Sequence, residues 1–112
     1  MSDTKYWFVT TTPTIDDSYS VVIPHEISST DNFLREVGLV LKFPRYYGAN
    51  WNAFEECIND LNWIKEKTVV LIHRKLPNIP ADQQNIYIDI LKNAVKLWEL
   101  DKNHILIVVF PQ

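Results

Sequence analysis

The most reactive side chains in this sequence are a single cysteine, Cys57, three histidines, His25, His73 and His104, and the adjacent glutamates Glu55 and Glu56. A thiol beside an imidazole can act as a nucleophilic pair, and two carboxylates facing one substrate can divide acid and base work. The spacing favours neither. Cys57 falls on an apolar stripe, with no basic neighbour or helix terminus to lower its pKa, and reads as a core thiol. His73 and His104 lie within or at the edge of buried-type strands with nothing to pair them with a nucleophile, and His25 follows Pro24 in a loop, so the first two read as structural histidines. On a helix, Glu55 and Glu56 point about 100° apart and cannot address one bond. Acids in the early turns instead complement the helix dipole, and Asn52 with Glu55 matches a loose capping box. A lone cysteine excludes an internal disulfide, and no cysteine pair or close histidine pair has the spacing of a zinc site, so neither metal nor cofactor is expected.

The dipole does not account for the distribution of charge. Tyr46 to Trp63 holds Glu55, Glu56 and Asp60 and no basic residue, so this segment alone carries the −3 that is the formal net charge of all 112 residues. Such acids form either a solvated face or a patch suited to a basic cleft. The segment opens with "YYGANWNAF", where Gly48, one of only two glycines, is expected to reach positive φ in a tight bend between the tyrosine pair and Trp51.

The elements that position these residues follow from periodicity. Lys5 to Thr11 and Ser18 to Ile23 are rich in β-branched and aromatic residues, with Pro13, Asp16 and Asp17 as turn chemistry between them, and read as a hairpin. From Ser29 or Thr30, both good N-caps, Phe33, Leu34, Val37 and Leu41 recur at helical spacing until Pro44, with Gly38 weakening the middle. A second helix starts near Asn50 or Asn52, so that Phe54, Cys57, Ile58 and Leu61 face the core while Asn52, Glu56, Asn59 and Asp60 share another face. On this placement Trp51 is partly exposed and Trp63 largely buried. Thr68 to His73 is a strand covered on both sides. Asp82 caps a long third helix burying Ile86, Ile90, Leu91, Ala94, Val95, Leu97 and Trp98, and His104 to Phe110 is a last buried strand. Strand, helices, strand, helix, strand is the rhythm of a small α/β sheet with parallel crossovers.

The length suits one domain with a real core, and a 46% hydrophobic fraction suits a globular fold. No apolar run approaches the roughly 20 residues of a membrane helix, and the first residues lack the basic and apolar regions of a secretory signal, so a soluble, cytoplasmic protein is expected. An acidic chain without a basic stripe is a poor candidate for direct nucleic-acid binding.

Phe43 to Trp63, "FPRYYGANWNAFEECINDLNW", resembles the signature of the barstar family, small intracellular inhibitors of secreted ribonucleases. The family pattern Tyr-Tyr-Gly-x-Asn-x-Asp-Ala-[large apolar], followed by an acid just ahead of a cysteine and a tryptophan further on, is matched by Tyr46, Tyr47, Gly48, Asn50, Ala53, Phe54, Cys57 and Trp63. The resemblance implies a barstar-like α/β fold of two or three layers. It has a short, mainly parallel sheet with crossover helices and an extra N-terminal strand or hairpin, in a single domain spanning 1–112 with residues 1–17 as an addition. It also implies a non-catalytic inhibitor or immunity protein of toxin–antitoxin type, monomeric when free, whose loop and second helix plug the cleft of a basic secreted or toxin-type ribonuclease, acids standing in for RNA phosphates. The partner-binding residues would be Tyr46, Tyr47, Gly48, Asn50, Trp51, Asn52, Glu55, Glu56, Asn59 and Asp60. Asn93 on the third helix joins them, with Asp89 and Glu99 as alternatives for that position.

The departures are informative. Asn52 stands where the family has its first helix aspartate, Glu56 where it has the second, and Glu55 where an aromatic usually precedes that acid. They imply a partner other than the family's best-known ribonuclease. The alternatives are a related domain serving some other protein interaction, or a small enzyme using Cys57 or a histidine.

Overall fold

A computed structural model describes residues 17–101 and 104–111. The element order is β1 (Ser18–Val22), α1 (Thr30–Val40), α2 (Trp51–Asp60), β2 (Thr68–Ile72), α3 (Ala81–Asp101) and β3 (Ile105–Val109). The three strands form one parallel sheet in the order β1-β2-β3, with Val21 opposite Leu71 and Leu71 opposite Val108. Lys5 to Thr11, the first arm of the expected hairpin, lies outside the described residues; the second arm is β1, whose pairing with β2 is parallel.

Strand periodicity divides the sheet into two faces. Val69, Leu71, Leu106 and Val108 point to the face on which all three helices pack, joining Phe33, Leu34, Val37, Phe54, Ile58, Leu91 and Val95 in one core. Val70, Ile107 and Val109 point the other way and form a smaller cluster with Ile72. Among the described residues the architecture is therefore two layers, helices over a sheet.

Each helix end has a local cause. Ser29 caps α1, its side chain accepting from the Asn32 amide at 3.1 Å. The helix closes as Lys42 turns left-handed at φ 59°, while the Phe43 amide reaches the Gly38 carbonyl at 2.9 Å and the Lys42 amide reaches that of Leu39 at 3.2 Å. These two bonds satisfy carbonyls the helix would otherwise leave open. Gly38 does more than weaken α1: a Cβ there would lie 2.7 Å from Cε2 of Tyr47, so its bareness lets the tyrosine ring lie against the helix. In α3, Asp82 is in the first turn rather than at the cap, since the helix begins at Ala81.

Two residues expected in the α3 core are not there: Ile86 is 37% and Leu97 47% exposed. The helix buries Tyr87, Ile90, Leu91, Ala94, Val95 and Trp98 instead. The apolar stripe in the sequence is wider than the sheet and α2 can cover.

Candidate functional site

The site begins with the loop that launches α2. Asn50 is the N-cap, extended at φ −135°, its side-chain oxygen accepting from the Ala53 amide at 2.8 Å. The Asn52–Glu55 capping box is thus replaced by a cap two residues earlier. Gly48 does not take positive φ; that conformation falls on its neighbour Ala49, at φ 53°. Gly48 serves by its lack of a side chain, because a Cβ would meet Nδ2 of Asn50 at 3.2 Å and crowd the cap.

Tyr46 and Tyr47, adjacent in sequence, have opposite fates. Tyr46 is 77% exposed. Tyr47 is half-buried; its hydroxyl donates to the Leu34 carbonyl at 2.7 Å, and its ring meets Phe43 edge-on at 4.8 Å. Burial, and secondarily the proximity of Cys57, push the Tyr47 hydroxyl well above its ordinary pKa. Tyr47 fixes the loop to α1 while Tyr46 projects from it.

Trp51 is likewise an anchor. Its indole nitrogen donates to Oε1 of Gln83 at 2.7 Å, and its ring packs among Phe33, Phe54 and Tyr87. Gln83 carries no motif that would have singled it out. At the other end of α2, the indole of Trp98 donates to the Ile58 carbonyl at 3.2 Å, so α3 holds α2 at both ends. Trp63 is half-buried, as is Trp51, which corrects the expected contrast between them: its indole donates to the Leu41 carbonyl at 3.0 Å in the turn leaving α2 rather than extending the helical stripe.

With α2 fixed, about 100° per residue places Asn52, Glu55, Glu56, Asn59 and Asp60 on one outward arc, opposite Phe54, Cys57 and Ile58. Asn52, Glu56 and Asp60 are exposed; Glu55, at one edge, and Asn59 are half-buried. The helix has no acid in its first turn and no base in its last, so this arc is acidic without an intrahelical cation to neutralise it. Asn93 is exposed on α3, on the stripe that continues through Leu97 and Leu100.

Cys57 is 3% exposed, and burial, with the charges of Glu56 and Asp60, pushes its thiol up, away from the reactive thiolate. His73 is buried with both ring nitrogens engaged, Nδ1 donating to the Val109 carbonyl at 3.0 Å and Nε2 accepting from the Tyr87 hydroxyl at 2.7 Å. Desolvation lowers its pKa to about 4, so it is a neutral structural imidazole. No group of three or more His, Cys, Asp or Glu side chains among the described residues could hold a metal ion. No described helix is long and apolar enough to cross a membrane.

A parallel three-stranded sheet under three helices, with a capped helix entered through a Tyr-Tyr-Gly loop, is the frame on which the family signature should sit. The family model described as Barstar (barnase inhibitor) matches residues 20–110. The chain belongs to the barstar family. Residues 1–19 precede the match. No curated protein matches the chain. The match takes in the loop and α2, where the tyrosine pair, Gly48, the capping Asn50, Ala53 and Cys57 fall.

Proposed function

We propose that this chain is a ribonuclease inhibitor, an immunity protein that acts in the cytoplasm as a free monomer and blocks the active-site cleft of a cognate enzyme with the outward arc of α2. The observation that carries this reading is the arc itself: Glu55, Glu56 and Asp60 on one side of a helix held at both ends by α3, in a member of a family described by its inhibition of barnase. A ribonuclease cleft is cationic so that it can hold phosphodiesters, and carboxylates on a rigid scaffold compete for it without an ordering cost on binding.

Roles divide by exposure and by the contacts each residue makes within the fold. Tyr46, Asn52, Glu56 and Asp60 make the contact, with Glu56 central; Glu55 forms its edge, with Asn59 half-buried beside it, and Asn93 flanks it on α3. Tyr47, Gly48, Asn50 and Trp51 hold the surface in shape. Asn52 hydrogen-bonds but brings no charge, which tunes the chain towards a ribonuclease other than barnase.

The test uses barnase and three inhibitors. The wild-type chain should inhibit weakly, Asn52→Asp should inhibit better, and Glu56→Gln should lose inhibition. If neither the wild-type chain nor Asn52→Asp inhibits barnase at any concentration reached, the arc does not fit a barnase-type cleft; if the immobilised chain also retains no basic ribonuclease, inhibition is the wrong reading and the face serves another protein partner.

A further inference from the structure

Beside the α2 arc lies an open groove of about 580 Å³ with two unlike walls. Asn59, Asp60 and Asn62 form one, from the end of α2 and the turn after it; Leu97 and Leu100 of α3 form the other, with Trp98 between them. The leucines are 47% and 79% exposed, although a solvated helix face does not call for apolar side chains one turn apart. Across from them, Oδ1 of Asn59 is buried and has no hydrogen-bond partner. An acceptor shut away unpaired is costly, and a rotation of the Asn59 side chain that turned this oxygen towards the groove would let a donor there meet it.

We infer that this groove receives an arginine side chain of the partner protein, its aliphatic stem along Leu97 and Leu100 and its guanidinium against Asn59, Asp60 and Asn62. The two walls match the two halves of that side chain. A planar head with five donors suits three oxygen-bearing side chains better than a lysine ammonium, and Asp60, continuous with Glu56 on the arc, supplies the opposite charge. His104 also lines the groove, its ring edge-on to that of Trp98 at 5.4 Å. The inference rests on the inhibitor reading for the identity of the partner as a basic protein. The groove then contributes what the acidic arc lacks, since a field of carboxylates attracts any cationic cleft, whereas a slot with an apolar wall selects one side chain at one distance from it.

The experiment uses the free protein, labelled for NMR and titrated with N-acetyl-arginine amide, N-acetyl-lysine amide and N-acetyl-norleucine amide. The arginine probe should shift the side-chain amides of Asn59 and Asn62 and the methyls of Leu97 and Leu100, with an affinity on the order of threefold or more above that of either other probe. The double variant Leu97→Ala/Leu100→Ala and, separately, Asp60→Asn should each weaken it; both sites are exposed, so the fold is retained. Equal response to arginine and lysine probes, or shifts elsewhere than the groove, overturns the inference. So does an arginine affinity unchanged in both variants. Because no ribonuclease is present, these outcomes are independent of any inhibition: ribonuclease inhibition with no arginine response removes the groove and keeps the inhibitor, and an arginine response with no ribonuclease bound or inhibited removes the inhibitor and keeps the groove.

Discussion

His73 sits where a charge would be least welcome, between the Val109 carbonyl and the Tyr87 hydroxyl at 2% exposure. Folded, it takes up a proton near pH 4; unfolded, near the ordinary 6.5. Between those values the unfolded chain binds more protons, so the stability this residue contributes is full above pH 6.5 and is lost as pH falls towards 4, by about 3 kcal/mol in all. Urea midpoints at pH 7 and pH 4.5 should therefore converge in His73→Gln relative to the wild type; an unchanged pH dependence would show that the imidazole is not held neutral. Cys57 offers the companion test. Its raised thiol pKa and burial predict slow alkylation of the native protein at neutral pH and fast alkylation in denaturant. Rapid labelling of the native protein would reopen a nucleophilic role.

At the scale of elements, the α1–loop–α2 corner depends on a fit between Gly38 and Tyr47. Alanine in place of a mid-helix glycine ordinarily stabilises by about 1 kcal/mol. Here the added Cβ would come within 2.7 Å of a ring pinned by its hydroxyl and by Phe43, so the ring has little room to retreat. Gly38→Ala should destabilise by roughly 1 to 3 kcal/mol, as overpacking does. In a Tyr47→Ala background the same change should become neutral or stabilising, and a double-mutant cycle of denaturation midpoints reads the coupling. Additive effects would mean that glycine and tyrosine do not meet. The cap is simpler: Asn50→Ala should cost about 1 kcal/mol of stability, whereas Asn50→Asp keeps an acceptor for the Ala53 amide and should cost little.

For the whole molecule, the formal charge of −3 matters less than its placement, with Glu55, Glu56 and Asp60 on one arc of α2. Such a patch speeds encounter with a cationic cleft, and salt screens it over about 10 Å at 0.1 M. Glu56→Gln, at the centre, should accelerate dissociation from an inhibited ribonuclease, equivalent to on the order of 2 to 5 kcal/mol. Replacing Glu55, at the edge of the arc, should chiefly slow association and flatten its salt dependence. Rates at two salt concentrations separate the cases. If Glu56→Gln leaves both rates unchanged while a substitution on α3 abolishes binding, the interface is centred on α3 rather than α2.

The sequence determined the elements, because periodicity of two or 3.6 and local caps are written in neighbouring residues: the strands around Val69 and Leu106, the α1 stripe of Phe33, Leu34 and Val37, and the outward grouping of Asn52, Glu56, Asn59 and Asp60 on α2 were all legible. The Tyr-Tyr-Gly-x-Asn spacing likewise disclosed the family. What tertiary structure decided were the properties that depend on a distant partner. Tyr46 and Tyr47 are the same residue type side by side, and the Leu34 carbonyl, with Phe43 and Gly38, distinguishes the anchor from the exposed ring. Leu97 reads as core until the width of α2 limits what α3 can bury. The left-handed residue of the loop proved to be Ala49 and not Gly48, since the close approach of Asn50, a cap contact rather than a dihedral preference, is what uses the glycine. A chain records locally which face of a helix is apolar, but how much of that face is covered is set by the neighbours that arrive from elsewhere in the fold.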